Sequence, residues 1–133
     1  MARGKRKSPI YCSDSGFSML ELLVVMIIIA ILAAIAIPVY LNQRAKAWEA
    51  NVHSDLYNAA VAQLTYFVDN KSFTGLLDDL YPRGYNQSGN ITITIRSSGD
   101  QYCMEAFHSG NVDNIWFVES GEGHPNPEPG PCP

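Results

Sequence analysis

Across its 133 residues the chain has no glycine-rich phosphate loop, no HExxH, no GxSxG and no CxxC. Nucleotide handling, zinc hydrolysis, serine-nucleophile chemistry and dithiol exchange therefore have no sequence to rest on. Histidine is sparse: His53, His108 and His124 lie far apart, and His53 sits among polar helix positions and reads as solvated. Asp78 and Asp79 adjoin in a Gly- and Pro-containing stretch and read as a solvated loop rather than a calcium site. No catalytic group, metal or cofactor is expected, and no internal repeat is visible. Positive charge is also scarce once residues 1–16 are set aside. That segment carries Arg3, Lys5, Arg6 and Lys7 against Asp14 alone, and the remainder holds five basic and twelve acidic residues, a net of −7. An acidic remainder is a poor partner for a phosphate backbone, so charge does not indicate DNA as a ligand.

Charge is missing altogether from residues 22–41, LLVVMIIIAILAAIAIPVYL, twenty residues preceded by Glu21. A helix needs about 20 apolar residues to cross roughly 30 Å of hydrocarbon. A buried core helix this uniformly apolar would need protein on every side, which the remaining chain is too short to supply. The segment therefore reads as membrane-inserted, with its basic flank retained in the cytoplasm and the C-terminal part outside. A cleaved secretory signal fits less well, because its apolar stretch is about 7–15 residues and needs no acid at its start.

Cysteine is limited to three residues. Cys12 falls on the reducing side of the membrane. Cys103 and Cys132 fall outside, where disulfides persist. A 103–132 bridge closes a loop of about 30 residues, worth roughly 3–4 kcal/mol in the chain-entropy model. The other reading is two unpaired thiols. The tail GEGHPNPEPGPCP, with five prolines and three glycines, has little else to hold it.

The organisation expected is α+β. Residues 17 to about 69 form one long helix, apolar all round in its first half and amphipathic from Asn42. Trp48, Val52, Leu56 and Ala59 share a face at steps of four, four and three. Leu64 and Phe67 extend that face with some drift, and Arg44, Lys46, Glu49, Asp55 and Gln63 fill the rest. Pro38 lies inside the helix and is expected to kink it or loosen its hydrogen bonds one turn back. Asn70-Lys71 marks its end. Residues 70–89 form a connector with a short helical turn at 76–80. Alternation predicts strands at 90–96, 101–108 and 115–119, with turns at 98–100 and 110–114. On the second strand Tyr102, Met104, Ala106 and His108 share one face, and Cys103, Glu105 and Phe107 the other. The result is a small antiparallel sheet of about three to four strands, marginal alone and completed by the amphipathic helix half. The domains follow as 1–16 leader, 17–41 apolar helix and 42–133 head, the head ending in an irregular segment at 121–133.

Gly16-Phe17-Ser18-Met19-Leu20-Glu21, followed by the apolar run, resembles the prepilin signature of type IV pilins and related pseudopilins, whose usual form is Gly-Phe-Thr-Leu-Ile-Glu. This chain departs mildly at Ser18, Met19 and Leu20. Pro38 matches a proline that many pilins carry. The resemblance covers about residues 10–50, and the β part only in architecture. It implies a prepilin peptidase that cuts after Gly16 on the cytoplasmic side and methylates the new N-terminus at Phe17. Cleavage exposes an α-amino group with pKa near 8. Glu21, one helical turn on, then pairs with the Phe17 amine of the next subunit. Unpaired charges are penalised in low dielectric, so Glu21 sets axial register while the aliphatic side chains supply adhesion. Ala30, Ala33, Ala34 and Ala36 let neighbouring helices approach.

The resemblance further implies a helical homopolymer serving adhesion, motility or DNA uptake. Its partners are copies of itself, the prepilin peptidase and the pilus assembly machinery of the cytoplasmic membrane. The precursor sits in that membrane and the product is an extracellular filament. The 103–132 loop resembles one that major pilins display. Asn-X-Ser/Thr triplets at Asn70, Asn86 and Asn90 carry little weight in a prokaryote. Two alternatives stay open: a pseudopilin of a type II secretion or competence system, and a monomeric single-pass protein holding an extracellular binding domain.

Overall fold

The computed structural model describes residues 16–97, 99–121 and 126–133. A single helix, α1, spans Met19–Asn70. Four strands follow: β1 (Ile91–Ser97), β2 (Tyr102–His108), β3 (Asn111–Glu119) and β4 (Glu128–Pro129). They pair antiparallel in the order β1-β2-β3-β4. The fold is the α+β arrangement expected. The chain divides into two compact units, Met1–Pro38 and Val39–Pro133.

In the first unit α1 opens at a serine cap. Ser18 Oγ accepts from the Leu20 amide at 3.3 Å, and the Ser18 carbonyl accepts from the amides of Glu21 and Leu22. These bonds satisfy amides that an uncapped helix start leaves bare. From Leu22 onward every large apolar side chain of this unit is exposed. The helix is long and apolar enough to cross a membrane by length and composition. It runs through Pro38 without interruption.

In the second unit Val52, Leu56, Ala59 and Ala60 of α1 pack with Ile91 and Ile93 of β1, Tyr102, Met104 and Ala106 of β2, and Val118 of β3. Register places Ile93 against Ala106, Ile95 against Met104, and Met104 against Val118, so the inward positions line up. The two faces read for β2 are observed, with Tyr102, Met104 and Ala106 buried. α1 ends where expected: Lys71 takes a left-handed φ of 59° and its amide closes on the Phe67 carbonyl at 2.8 Å, as helix C-caps do.

Four details differ from expectation. Asp55 and Gln63 are buried; they fall in helical phase with Val52, Leu56 and Ala59, and local partners make that burial affordable. Leu64 is exposed, because the buried stripe drifts towards Ala60 and Gln63. β3 starts at Asn111, not Ile115. Ser109-Gly110 suffices as the turn, since Gly110 lies against Trp48, where a Cβ would meet ring carbons at 2.8 and 2.9 Å. Lastly, the proline-rich tail contributes β4, held to β3 by Trp116–Pro129 and Phe117–Glu128 pairing.

Candidate assembly site

Gly16, Phe17 and Ser18 precede α1 in non-helical backbone, and all three are exposed. A Cβ at Gly16 would meet nothing within 4 Å, and its φ is not left-handed. Nothing in the fold therefore requires glycine there. Phe17 is 73% exposed, unusual for a phenylalanine that serves its own core. Glu21 lies in the first turn of α1, where a carboxylate is favoured by the helix dipole, and it too is exposed. Cys12 and the rest of residues 1–15 lie outside the described residues.

The head is tied together by buried polar groups that sequence reading placed on the solvent side. Gln63 clamps the backbone of Thr74: its Nε2 donates to the Thr74 carbonyl at 2.7 Å, and its Oε1 accepts from the Thr74 amide at 3.1 Å. Thr74 Oγ1 in turn donates to Asp79 Oδ2 at 2.6 Å, which gives that acid a structural task. Asp55 accepts from the Ser88 amide at 2.8 Å and from the Ser88 hydroxyl at 2.7 Å. The two residues thus pin the connector near both its ends. Between them lie two 3₁₀ turns, Leu77–Asp79 and Tyr81–Arg83. Arg83 stacks on Tyr66 and reaches Asp69. The available signal was spacing: Asp55, Ala59 and Gln63 are four residues apart each, on the face led by Leu56.

Burial pushes the phenol of Tyr85 up from its ordinary range, with Asp55 and then Tyr81 adding to the effect. Burial alone pushes Tyr102 up. The Tyr85 hydroxyl finds no hydrogen-bond partner among the described residues.

His53 is also not the solvated side chain expected. It meets Trp116 edge-on at 4.1 Å between centroids, and its Nε2 is buried without a partner among the described residues. His108 stacks on Trp48 at 4.8 Å, and Arg44 lies 4.6 Å over that indole.

Cys103 and Cys132 are bonded to each other. The bridge holds the tail across the sheet face opposite α1. Cys132 N donates to Glu105 Oε2 at 3.3 Å, Glu105 Oε1 pairs with Arg96 at 3.2 Å, and Gly130 N donates to the Ile115 carbonyl at 2.8 Å. Among the described residues no group of three or more His, Cys, Asp or Glu side chains could hold a metal ion.

Residues 12–37 match a family model described as the prokaryotic N-terminal methylation motif. The chain is 41% identical over 105 residues to the type IV wide pilus major component PilA4 of Thermus thermophilus, a match covering 77% of this chain and 79% of that one.

Proposed function

The chain belongs to the type IV pilins, structural subunits that are membrane-anchored as precursors and then form an extracellular filament, and from that premise we propose how its residues carry the role. Residues 1–16 are the leader, 17–41 the segment that moves from lipid to the filament core, and 42–133 the displayed head. Prepilin peptidase cuts between Gly16 and Phe17 and methylates the Phe17 amine. Gly16 serves the peptidase, since its own fold leaves open space around it. Glu21 pairs with the freed amine on a neighbouring copy and fixes the axial register. Pro38 is the point at which the helix bends as shafts pack. Assembly uses the machinery of the cytoplasmic membrane. The chain's part is structural, and it is itself the substrate of an enzyme.

One observation carries this reading: the large apolar side chains from Leu22 to Leu41 are all exposed. A surface of that extent needs lipid or other copies. Retention of Glu21 favours a shaft subunit, in keeping with a relative that is itself a major pilus component.

Intact mass of filaments sheared from the cell surface tests the proposal. The expected chain starts at Phe17, heavier by about 14 mass units from one methyl group and lighter by about 2 from one disulfide. A chain that keeps its leader overturns it.

A further inference from the structure

The Gly16–Phe17 bond lies just ahead of a helix start that a single residue sets. In an α-helix each amide turns back to the carbonyl four residues earlier. An α1 begun one turn sooner would close the Leu20 amide on the Gly16 carbonyl and the Glu21 amide on that of Phe17. Ser18 takes both donors instead. Its Oγ accepts from the Leu20 amide at 3.3 Å, and its carbonyl accepts from the amides of Glu21 at 3.1 Å and Leu22 at 3.2 Å. The helix therefore starts at Met19, and Gly16, Phe17 and Ser18 stay non-helical and exposed. Glu21, three residues after Ser18, stands where an acid completes a capping box. Nothing else in the local sequence stops the helix. The run that follows is aliphatic, and an amide at the edge of hydrocarbon takes whatever acceptor is in reach.

We propose that Ser18 is a positioning residue for leader cleavage: its cap holds α1 short of the Gly16–Phe17 bond and so keeps the Gly16 carbonyl open to the peptidase. The proposal rests on the cleavage site given above and adds a residue to it. Hydrolysis adds water across that amide. The hydroxyl goes to the Gly16 carbonyl carbon, the C–N bond breaks, and a proton goes to the Phe17 nitrogen. Negative charge builds on the Gly16 oxygen as water attacks, and an enzyme stabilises it with donors of its own. An oxygen already bonded to the Leu20 amide, inside a helical turn, is closed to those donors. Ser18 removes that competitor by binding the Leu20 amide itself. The open space around Gly16 and the 73% exposure of Phe17 leave the same bond accessible from the outside.

The test is the rate of leader removal from the full chain in membranes, with prepilin peptidase present, followed by pulse-chase. Ser18→Ala is expected to slow removal roughly fivefold, the weight of one helix cap. Ser18→Thr keeps a capping hydroxyl and the original rate. Ser18→Ala combined with Met19→Pro has no hydroxyl, but proline at the first helical position restores the helix start and holds residue 18 out of the helical region. That pair is expected to recover most of the rate. In detergent, a ¹³C label on the Gly16 carbonyl should move to a helical chemical shift in Ser18→Ala and back again in the double variant. An unchanged rate in Ser18→Ala overturns the proposal. So does a slowed rate with the Gly16 carbonyl still non-helical, which would mean that the peptidase reads the hydroxyl directly; the cleavage site itself would stand. Intact mass showing the unsubstituted chain cut at another bond overturns the cleavage site, and this proposal with it.

Discussion

Gln63 and Thr74 form a pair in which one side chain replaces a missing stretch of backbone. The amide of Gln63 matches the amide of Thr74 in both directions, donor to acceptor and acceptor to donor, in a site from which water is excluded. Gln63→Leu keeps the volume and removes both bonds, leaving a buried N–H and a buried C=O bare. The expected loss is about 2–4 kcal/mol, read as a lower denaturant midpoint of the detergent-solubilised chain. Tyr85 presents the opposite case, a buried hydroxyl with no partner among the described residues. Tyr85→Phe removes an unsatisfied group, so stability at pH 7 stays level or rises by about 1 kcal/mol. The raised phenols also set the alkaline limit. Below about pH 10 the tyrosines are neutral in folded and unfolded chains alike, and their contribution is complete. Above it the unfolded chain releases protons that Tyr85 and Tyr102 retain when folded. Stability then falls as pH rises, with a limiting slope of about 1.4 kcal/mol per pH unit for each of Tyr85 and Tyr102. Melting followed from pH 7 to 11 should show that fall beginning near pH 10, and a shallower one in Tyr85→Phe. An unaltered alkaline slope in the variant would contradict the assignment.

At the level of elements, the turn between β2 and β3 and the staple on the tail decide how tightly the head is closed. Gly110 is required by contact, since a Cβ would press on Trp48 at 2.8 and 2.9 Å. Gly110→Ala is expected to displace the indole from His108 and to cost about 1–3 kcal/mol. Trp48→Leu in the same chain should recover part of that cost, a non-additivity that a double-mutant cycle in tryptophan fluorescence and melting will measure. The strands were legible from alternation because one face of the sheet is buried and the other is not. NITITIR and QYCMEAFH each show it. The first residues of β3 were not legible, because Asn111, Asp113 and Asn114 are turn formers by composition. Asn111 is held to His108 of β2 across a turn shortened by a contact with α1, Asp113 and Asn114 fall in a register shift before Trp116 meets Ala106, and nothing local signals that contact. β4 was hidden for a similar reason: a segment rich in proline pairs over only two residues, once the Cys103–Cys132 bond brings it to the edge of β3.

For the molecule as a whole, the sequence separates lipid from solvent more clearly than it separates core from surface. Twenty uncharged residues after Glu21 stand out as a helix long and apolar enough to cross a membrane, because no small head could bury them. Within the head, Asp55, Gln63 and His53 read as surface residues and prove buried or half-buried, since burying a polar group depends on partners that arrive from distant parts of the chain. The assembly contact is one step further removed, as its partner is another molecule. The pattern Gly16, Phe17, Glu21 nevertheless points to it, because an acid at the head of an aliphatic helix is costly unless a cation meets it. Glu21→Ala follows through on this argument. Membrane insertion is governed by the aliphatic run and should be unchanged, as should melting of the head, in which Glu21 takes no part. On the pairing proposed above, the substitution leaves the Phe17 amine buried in the filament without its counter-ion, a penalty of about 3–5 kcal/mol. Assembly should then fall by roughly a hundredfold or more. Glu21→Gln retains hydrogen bonding but not charge, and should recover only a small part of the yield. Filaments counted by electron microscopy beside membrane-fraction immunoblots separate assembly from insertion. Full yield from Glu21→Ala would mean that register is set by side-chain packing alone and that the amine is satisfied elsewhere.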